Sequence, residues 1–193
     1  MTAAPEARGG AVRRWGAALA LCGALGAGRV AFAATLEAAG PVASSLRVPL
    51  VRQARERCGP AALEMVLRFY GAGEAVLHEG ERAYDPVLRG SLITDLAAAA
   101  RRAGFDAEVA TLTPEALMAE LGDGVPPIVL FQSGRAPLTM PHFGVVTGWE
   151  PERGVFTLNV GTLTPRIMSR DEFARRWRTA GSQALLVRRR TSP

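Results

Sequence analysis

The stretch VRQARERCGPAALEMVLRFYG, residues 51–71, holds the main clue to the fold. From Pro60 onward Leu63, Val66, Leu67 and Tyr70 recur at i, i+3, i+4 and i+7, Met65 and Phe69 fill the neighbouring face, and Gly71 closes the run. Only Glu64 and Arg68 are polar, four apart with the acid first, the favourable order on a helix surface. The pattern predicts a helix buried on most sides with one thin wet stripe. Proline suits the first turn, where its missing N–H would have no intrahelical partner, so Cys58 stands at or just before the helix N-terminus. A helix start offers partial positive charge and unpaired N–H groups, both of which favour thiolate over thiol.

The chain has one other cysteine, and its place changes what Cys58 means. Residues 13–33, RRWGAALALCGALGAGRVAFA, read as an arginine-bearing start, an apolar run from Trp15 to Gly28 and a small-x-small end at Ala31-Phe32-Ala33. The run is short and glycine-rich against the roughly 20 residues a membrane span needs. The expectation is a signal peptide over residues 1–33, cleaved near Ala33, and an exported protein, periplasmic or secreted. The alternative is a membrane tether, through an uncleaved N-terminus or through lipidation at Cys22, against which the bulky Leu21 before that cysteine argues. Arg13-Arg14 hints at twin-arginine export. Cleavage would remove Cys22 and leave Cys58 as the single thiol, either buried and inert or kept for its reactivity.

With 193 residues, 48% of them apolar and 21% charged, the chain suits one domain with a real core. The formal charge of +5 is carried by arginine alone, because no lysine occurs; Schiff-base and P-loop lysine chemistry are therefore excluded. Arg8, Arg13, Arg14 and Arg29 against Glu6 put +3 of that charge in residues 1–33, leaving about +2 elsewhere, no footprint for nucleic acid. Arg188, Arg189 and Arg190 read as a short solvated basic tail. Two distant histidines and one remaining cysteine lack metal-ligand spacing, and the glycines of GAGEAVLHEG, residues 71–80, follow no strand. No metal or other cofactor is expected.

Residues 34–45 read as a linker and 46–190 as the domain. Residues 72–89 are polar and mixed, a loop by pattern. Ser91 is placed to cap a helix through LITDLAAAARRA, and Thr113-Pro114 to open another that stops at Gly122, with a short strand over residues 106–111 between them. Beyond Pro126-Pro127 the runs IVLFQ, HFGVVTGW and GVFTLNV are β-branched and aromatic, separated by turn residues, and predict neighbouring antiparallel strands. Ser169 with Glu172 forms a capping-box pattern before EFARRWR, and SQALLV supplies a last strand. Helices first and a sheet afterwards predict an α+β domain, the cysteine-bearing helix packed on a C-terminal antiparallel sheet.

A thiolate is fully activated by a nearby imidazole. His78, in LHEGER, reads as an exposed loop histidine, whereas His142 opens the apolar run PHFGVVTGW and could turn from a sheet edge into a cleft; a satisfied core histidine is the plain alternative. Such an imidazole needs an acceptor to fix its tautomer. Asn159, the one asparagine in the chain, ends the next predicted strand and would come level with His142 in a hairpin; the alternative is a turn asparagine before Gly161. Gln53, five positions before Cys58, carries an amide that could donate to an oxyanion, or is simply an exposed loop residue.

That order, QARERCGPAAL at 53–63, PHFGVV at 141–146 and Asn159 after a hairpin, resembles the papain-like cysteine peptidases. The nearest likeness is to the bacteriocin-processing, double-glycine leader peptidase family and its free-standing exported relatives, over about Val48 to Val187. The resemblance implies a papain-like fold and a peptide or protein substrate, hydrolysed through an acyl-thioester. It further implies Cys58 as nucleophile, His142 as general base and then acid, Asn159 as the orienting residue and Gln53 as oxyanion donor. An amidase or acyltransferase using the same site, and a silent binding module associated with an exporter, are the alternatives. Where the family commonly has Asp-Pro, this chain has Asn159 followed by Val160-Gly161, and neither transporter spans nor a P-loop is seen.

Overall fold

The computed structural model describes residues 43–190. The expected signal peptide and residues 34–42 of the expected linker lie outside the described residues. The last two residues of that linker, Ser44–Ser45, form a short strand, β1. Cys58–Phe69 forms α1, with Leu63, Met65, Val66 and Leu67 buried, and Arg68 donates to Glu64 at 2.8 Å along the wet stripe. The predicted periodicity is therefore the one that packs.

Residues 72–89 are ordered where the pattern suggests a loop. They form α2 (Glu74–Leu77), a 3₁₀ turn over His78–Ala83 and a hairpin of β2 (Tyr84–Asp85) with β3 (Gly90–Ser91). The anchors are few: Leu77 and Ala83 are buried, and Gly80 lies so close to the backbone of Pro60 that a Cβ there would stand 3.0 Å from its Cα. Too few apolar residues remain to write a period, so tertiary contact with α1 supplies the order. The turn itself is local, because Asp85 Oδ1 accepts from the N–H groups of Val87 at 2.7 Å and Leu88 at 3.1 Å.

The next helix, α3 (Ile93–Arg102), begins after Leu92 with no side-chain cap. Ser91 is not its cap as expected; it belongs to β3 and presses on Gly59, where a Cβ would meet its Oγ at 3.0 Å. Then follow β4 (Phe105–Thr111), α4 (Pro114–Gly122), β5 (Ile128–Arg135), β6 (Leu138–Glu150), β7 (Val155–Asn159), β8 (Arg166–Ser169), α5 (Arg170–Arg178) and β9 (Gln183–Arg189). Thr113 caps α4 through Ala116 N–H and Ser169 caps α5 through Glu172 N–H, as their motifs predict. The strand β8 was not expected; of its four residues only Met168 is buried, too little for a pattern.

Apart from the β2–β3 hairpin, the strands form one antiparallel sheet in the order β4-β9-β5-β6-β7-β8, with β1 also on β6. The last strand in sequence, β9, lies between β4 and β5 and so ties the helical half to the sheet. One apolar cluster joins α1 and α3 to the sheet through Ile128, Phe143, Val145, Leu185 and Val187. A second joins α4 and α5 through Val129, Phe131, Val146, Phe156 and Leu186. The expected basic tail is part of this structure: Arg188 pairs with Glu120, Arg189 donates to the Tyr70 carbonyl and Arg190 pairs with Asp106.

Candidate active site

Cys58 is the first residue of α1, half-buried, and no side chain caps the helix start. Arg57, at the N-cap, supplies no side-chain acceptor to the first N–H groups of the helix, and the Gly59 N–H turns to the Cys58 sulfur. Across from it, β6 brings in His142, whose ring stands close enough to the Cys58 sulfur to act on its ionisation through hydrogen bonding and charge. On the same imidazole Nε2 lies 3.0 Å from the Val160 carbonyl, and the Phe131 ring meets it edge-on at 5.7 Å between centroids. Nε2 therefore donates to Val160, which leaves Nδ1 to face sulfur.

The electrostatics of the pair are coupled. Burial pushes the Cys58 thiol up, but the hydrogen bond and charge of His142, with the N–H groups of Phe143 and Gly59, more than offset it, and the thiol sits below its ordinary range. Burial pulls His142 down, but the sulfur's hydrogen bond and charge and the Val160 carbonyl win over this and over nearby Arg166, and the imidazole is raised. Opposite shifts of two touching groups favour the thiolate–imidazolium form.

Asn159 is placed elsewhere than expected. The hairpin register sets it opposite Val145, three residues past His142, because β6 runs on beyond the end of β7. Its side chain, 3% exposed, donates instead to the Val48 carbonyl at 3.0 Å and pins the segment entering the domain. The seat on the imidazole is taken by the main chain of the following residue. A backbone carbonyl has no signature in sequence, so nothing in the residue types could have pointed to Val160.

Gln53 lies beside this corner. Its N–H donates to the Gly161 carbonyl at 3.0 Å, and its side chain packs on Gly161 with Oε1 buried and unpartnered among the described residues. Between Gln53 and Cys58 the chain makes a strained turn at Glu56, φ 64°, a left-handed conformation unusual for a residue with a Cβ. Arg89 pairs with the Glu56 carboxylate and Tyr84 Oη donates to it at 3.3 Å, while the Arg57 guanidinium lies 3.7 Å over the Tyr84 ring. These contacts latch the turn onto the β2–β3 hairpin. His78 is exposed on the 3₁₀ turn, 3.9 Å from Glu64, and is not part of the site.

Because Asn159 holds Val48 and not His142, Asn159→Ala should cost about 1–3 kcal/mol of stability from a buried carbonyl left unpaired. Cys58 reactivity should keep its pH dependence below the melting transition. Urea melts and alkylation of the same variant separate the two effects.

Comparison with known proteins follows this geometry. Residues 47–192 match the family model described as the peptidase C39 family. Among solved structures, a double glycine motif protease from an AMS/PCAT transporter, crystallised with the leader peptide, is 23% identical with TM-score 0.61, covering 76% of this chain and 95% of that one. The peptidase domain of Streptococcus ComA is 21% identical with TM-score 0.57, covering 73% and 98%. A C39-like peptidase from Bacillus anthracis is 16% identical with TM-score 0.64, covering 78% and 100%. No curated protein matches the sequence. At these identities the structures speak for a shared papain-like α+β fold, and the family match over most of the described domain makes this chain a member of the peptidase C39 family.

Proposed function

We propose that the chain is an exported cysteine peptidase that hydrolyses peptide bonds through Cys58 and His142. The observation that carries this is the sulfur of Cys58 at the start of a helix, within electrostatic reach of an imidazole that is itself held by the Val160 carbonyl. The Cys58 thiolate attacks the scissile carbonyl, forming the C–S bond as the carbonyl electron pair moves onto oxygen. Helix-start N–H groups and the Gln53 amide receive that oxyanion. Collapse breaks the C–N bond, and the His142 imidazolium gives its proton to the leaving amine. Water then attacks the acyl-thioester, loses a proton to His142, and the C–S bond breaks to return the thiolate. Throughout, the Val160 carbonyl keeps Nε2 protonated and Nδ1 aimed at sulfur.

A peptide substrate suits the surroundings. The strand that carries His142 exposes Leu138 at 84% and Met140 at 66%, and the loop after Gly161 exposes Leu163 at 65%. Apolar side chains left in solvent on the strand of His142 and on the loop after Gly161 favour a peptide with apolar residues. Export rests on residues 13–33, outside the described residues, and mass measurement of the mature protein tests cleavage near Ala33.

The testing experiment is iodoacetamide labelling against pH. A thiol lowered by its imidazole should alkylate already in mildly acidic buffer, and the rate should rise as pH passes up through the lowered Cys58 value. Turnover, which also needs the imidazolium, should fall again only above the ordinary histidine range, because His142 is raised. In His142→Ala the burial remains while the hydrogen bond and charge are gone, so the labelling limb should move to higher pH. A limb that stays in place would show that His142 does not activate Cys58.

A further inference from the structure

Three consecutive residues at the end of β7 make three separate contacts. The Asn159 side chain donates to Val48 O at 3.0 Å; Val160 O lies 3.0 Å from His142 Nε2; and Gly161 O accepts from Gln53 N at 3.0 Å. Two of these tie down the two ends of Val48–Gln53, and the third holds the imidazole. Gly161 has a further property. Its φ is 74°, and a Cβ added there would overlap Gln53 Oε1 and stand 2.8 Å from both its Cδ and its Cγ. With three atoms of one side chain inside contact distance, a Cβ at residue 161 forces the Gln53 side chain to move from its place while its own N–H stays on Gly161 O.

We infer that Asn159-Val160-Gly161 is one positioning element serving both halves of the reaction, and that Gly161 is the positioning residue for Gln53. Resting on the mechanism proposed above, this assigns the bare Cα of Gly161 the task of seating the glutamine side chain whose N–H groups meet the oxyanion. Val160 O and Gly161 O belong to adjacent peptide units. The distance between the base and the oxyanion donor is therefore set by a stretch of covalent main chain, not by side-chain packing between the halves of the domain. An added methyl at residue 161 displaces the donor without touching sulfur or imidazole.

The experiment uses Gly161→Ala, Gln53→Ala and the double variant in the full chain, with two readouts: turnover of a peptide library followed by mass spectrometry, and the rate of Cys58 alkylation in mildly acidic buffer. Gly161→Ala should lose roughly 10²-fold in kcat, the cost of one oxyanion donor, with alkylation unchanged. Combined with Gln53→Ala it should cost little more than Gln53→Ala alone, because the group that is displaced is already absent. Wild-type kcat in Gly161→Ala, or losses that multiply in the double variant, would overturn the assignment. If Gly161→Ala does not fold because its φ of 74° strains alanine, Gly161→Asn, which brings the same Cβ but tolerates the left-handed region, should give the same loss in kcat with alkylation unchanged, and wild-type kcat in it overturns the assignment. Failure of the mechanism itself shows in different proteins: slow acidic alkylation in the wild type, or turnover surviving in Cys58→Ala.

Discussion

Cys58→Ala should abolish peptide cleavage, and His142→Ala should lower kcat/KM by a comparable factor, ~10⁴-fold or more. The two losses should not multiply in the double variant, because sulfur and imidazole act as one unit: without the base the thiol is held up by burial, and without the thiol the base has nothing to activate. Substrate library turnover followed by mass spectrometry measures both. Asn159→Ala should lose far less, since its amide lies on Val48 and the imidazole is held by a main-chain carbonyl that the substitution keeps. Turnover that survives in Cys58→Ala would show that Cys58 is not the nucleophile, whereas a wild type without turnover would leave the domain as a binding module. A collapse of activity in Asn159→Ala at temperatures where the protein is folded would show that its clamp on Val48 reaches the chemistry.

The largest effect on stability is expected far from sulfur. Phe156 is fully buried, with its ring centroid 4.7 Å from those of both Trp149 and Phe173, and the run continues from Phe173 to Trp177 at 5.3 Å. Phe156→Ala should cost about 3–5 kcal/mol, the transfer of the ring plus the cavity left among side chains that cannot close it. Against a total of about 5–15 kcal/mol for a domain, that is enough to bring many such proteins near their transition at room temperature. Because Phe156 lies in the strand that ends in Asn159, cleavage and acidic alkylation of Cys58 should fade together as this face of the sheet melts. Ile167→Ala, in neighbouring β8 but paired with Thr157 and so on the opposite face of the sheet, 53% exposed, should shift the urea midpoint little. Equal losses from both substitutions would show that the aromatic run is not a core.

Much of the architecture is local enough to be written in the residues. The period of Leu63, Val66 and Leu67 and the caps at Thr113 and Ser169 each depend on neighbours within a few positions, and each structure forms where its pattern lies. The β-branched and aromatic runs after Pro127, set apart by turn residues, pair as antiparallel neighbours for the same reason. Residues 72–89 escaped because their order comes from Gly80 against Pro60 and from a few buried side chains, contacts with no period. The insertion of β9 between β4 and β5 is a pairing over about eighty positions, where loop closure and sheet edges decide and not local preference.

The sequence by itself determined the kind of chemistry available: one cysteine at the head of a buried helix, one histidine at the mouth of an apolar strand, and no lysine or paired metal ligands to compete with them. Only the tertiary structure decided who stands behind the histidine. A strand's residue types give its faces, but its register against the neighbour is set by how far each strand runs, and here β6 outruns β7. That offset carries the asparagine side chain past the ring to Val48 and turns the next peptide carbonyl onto Nε2, a group every residue possesses and no residue name can disclose.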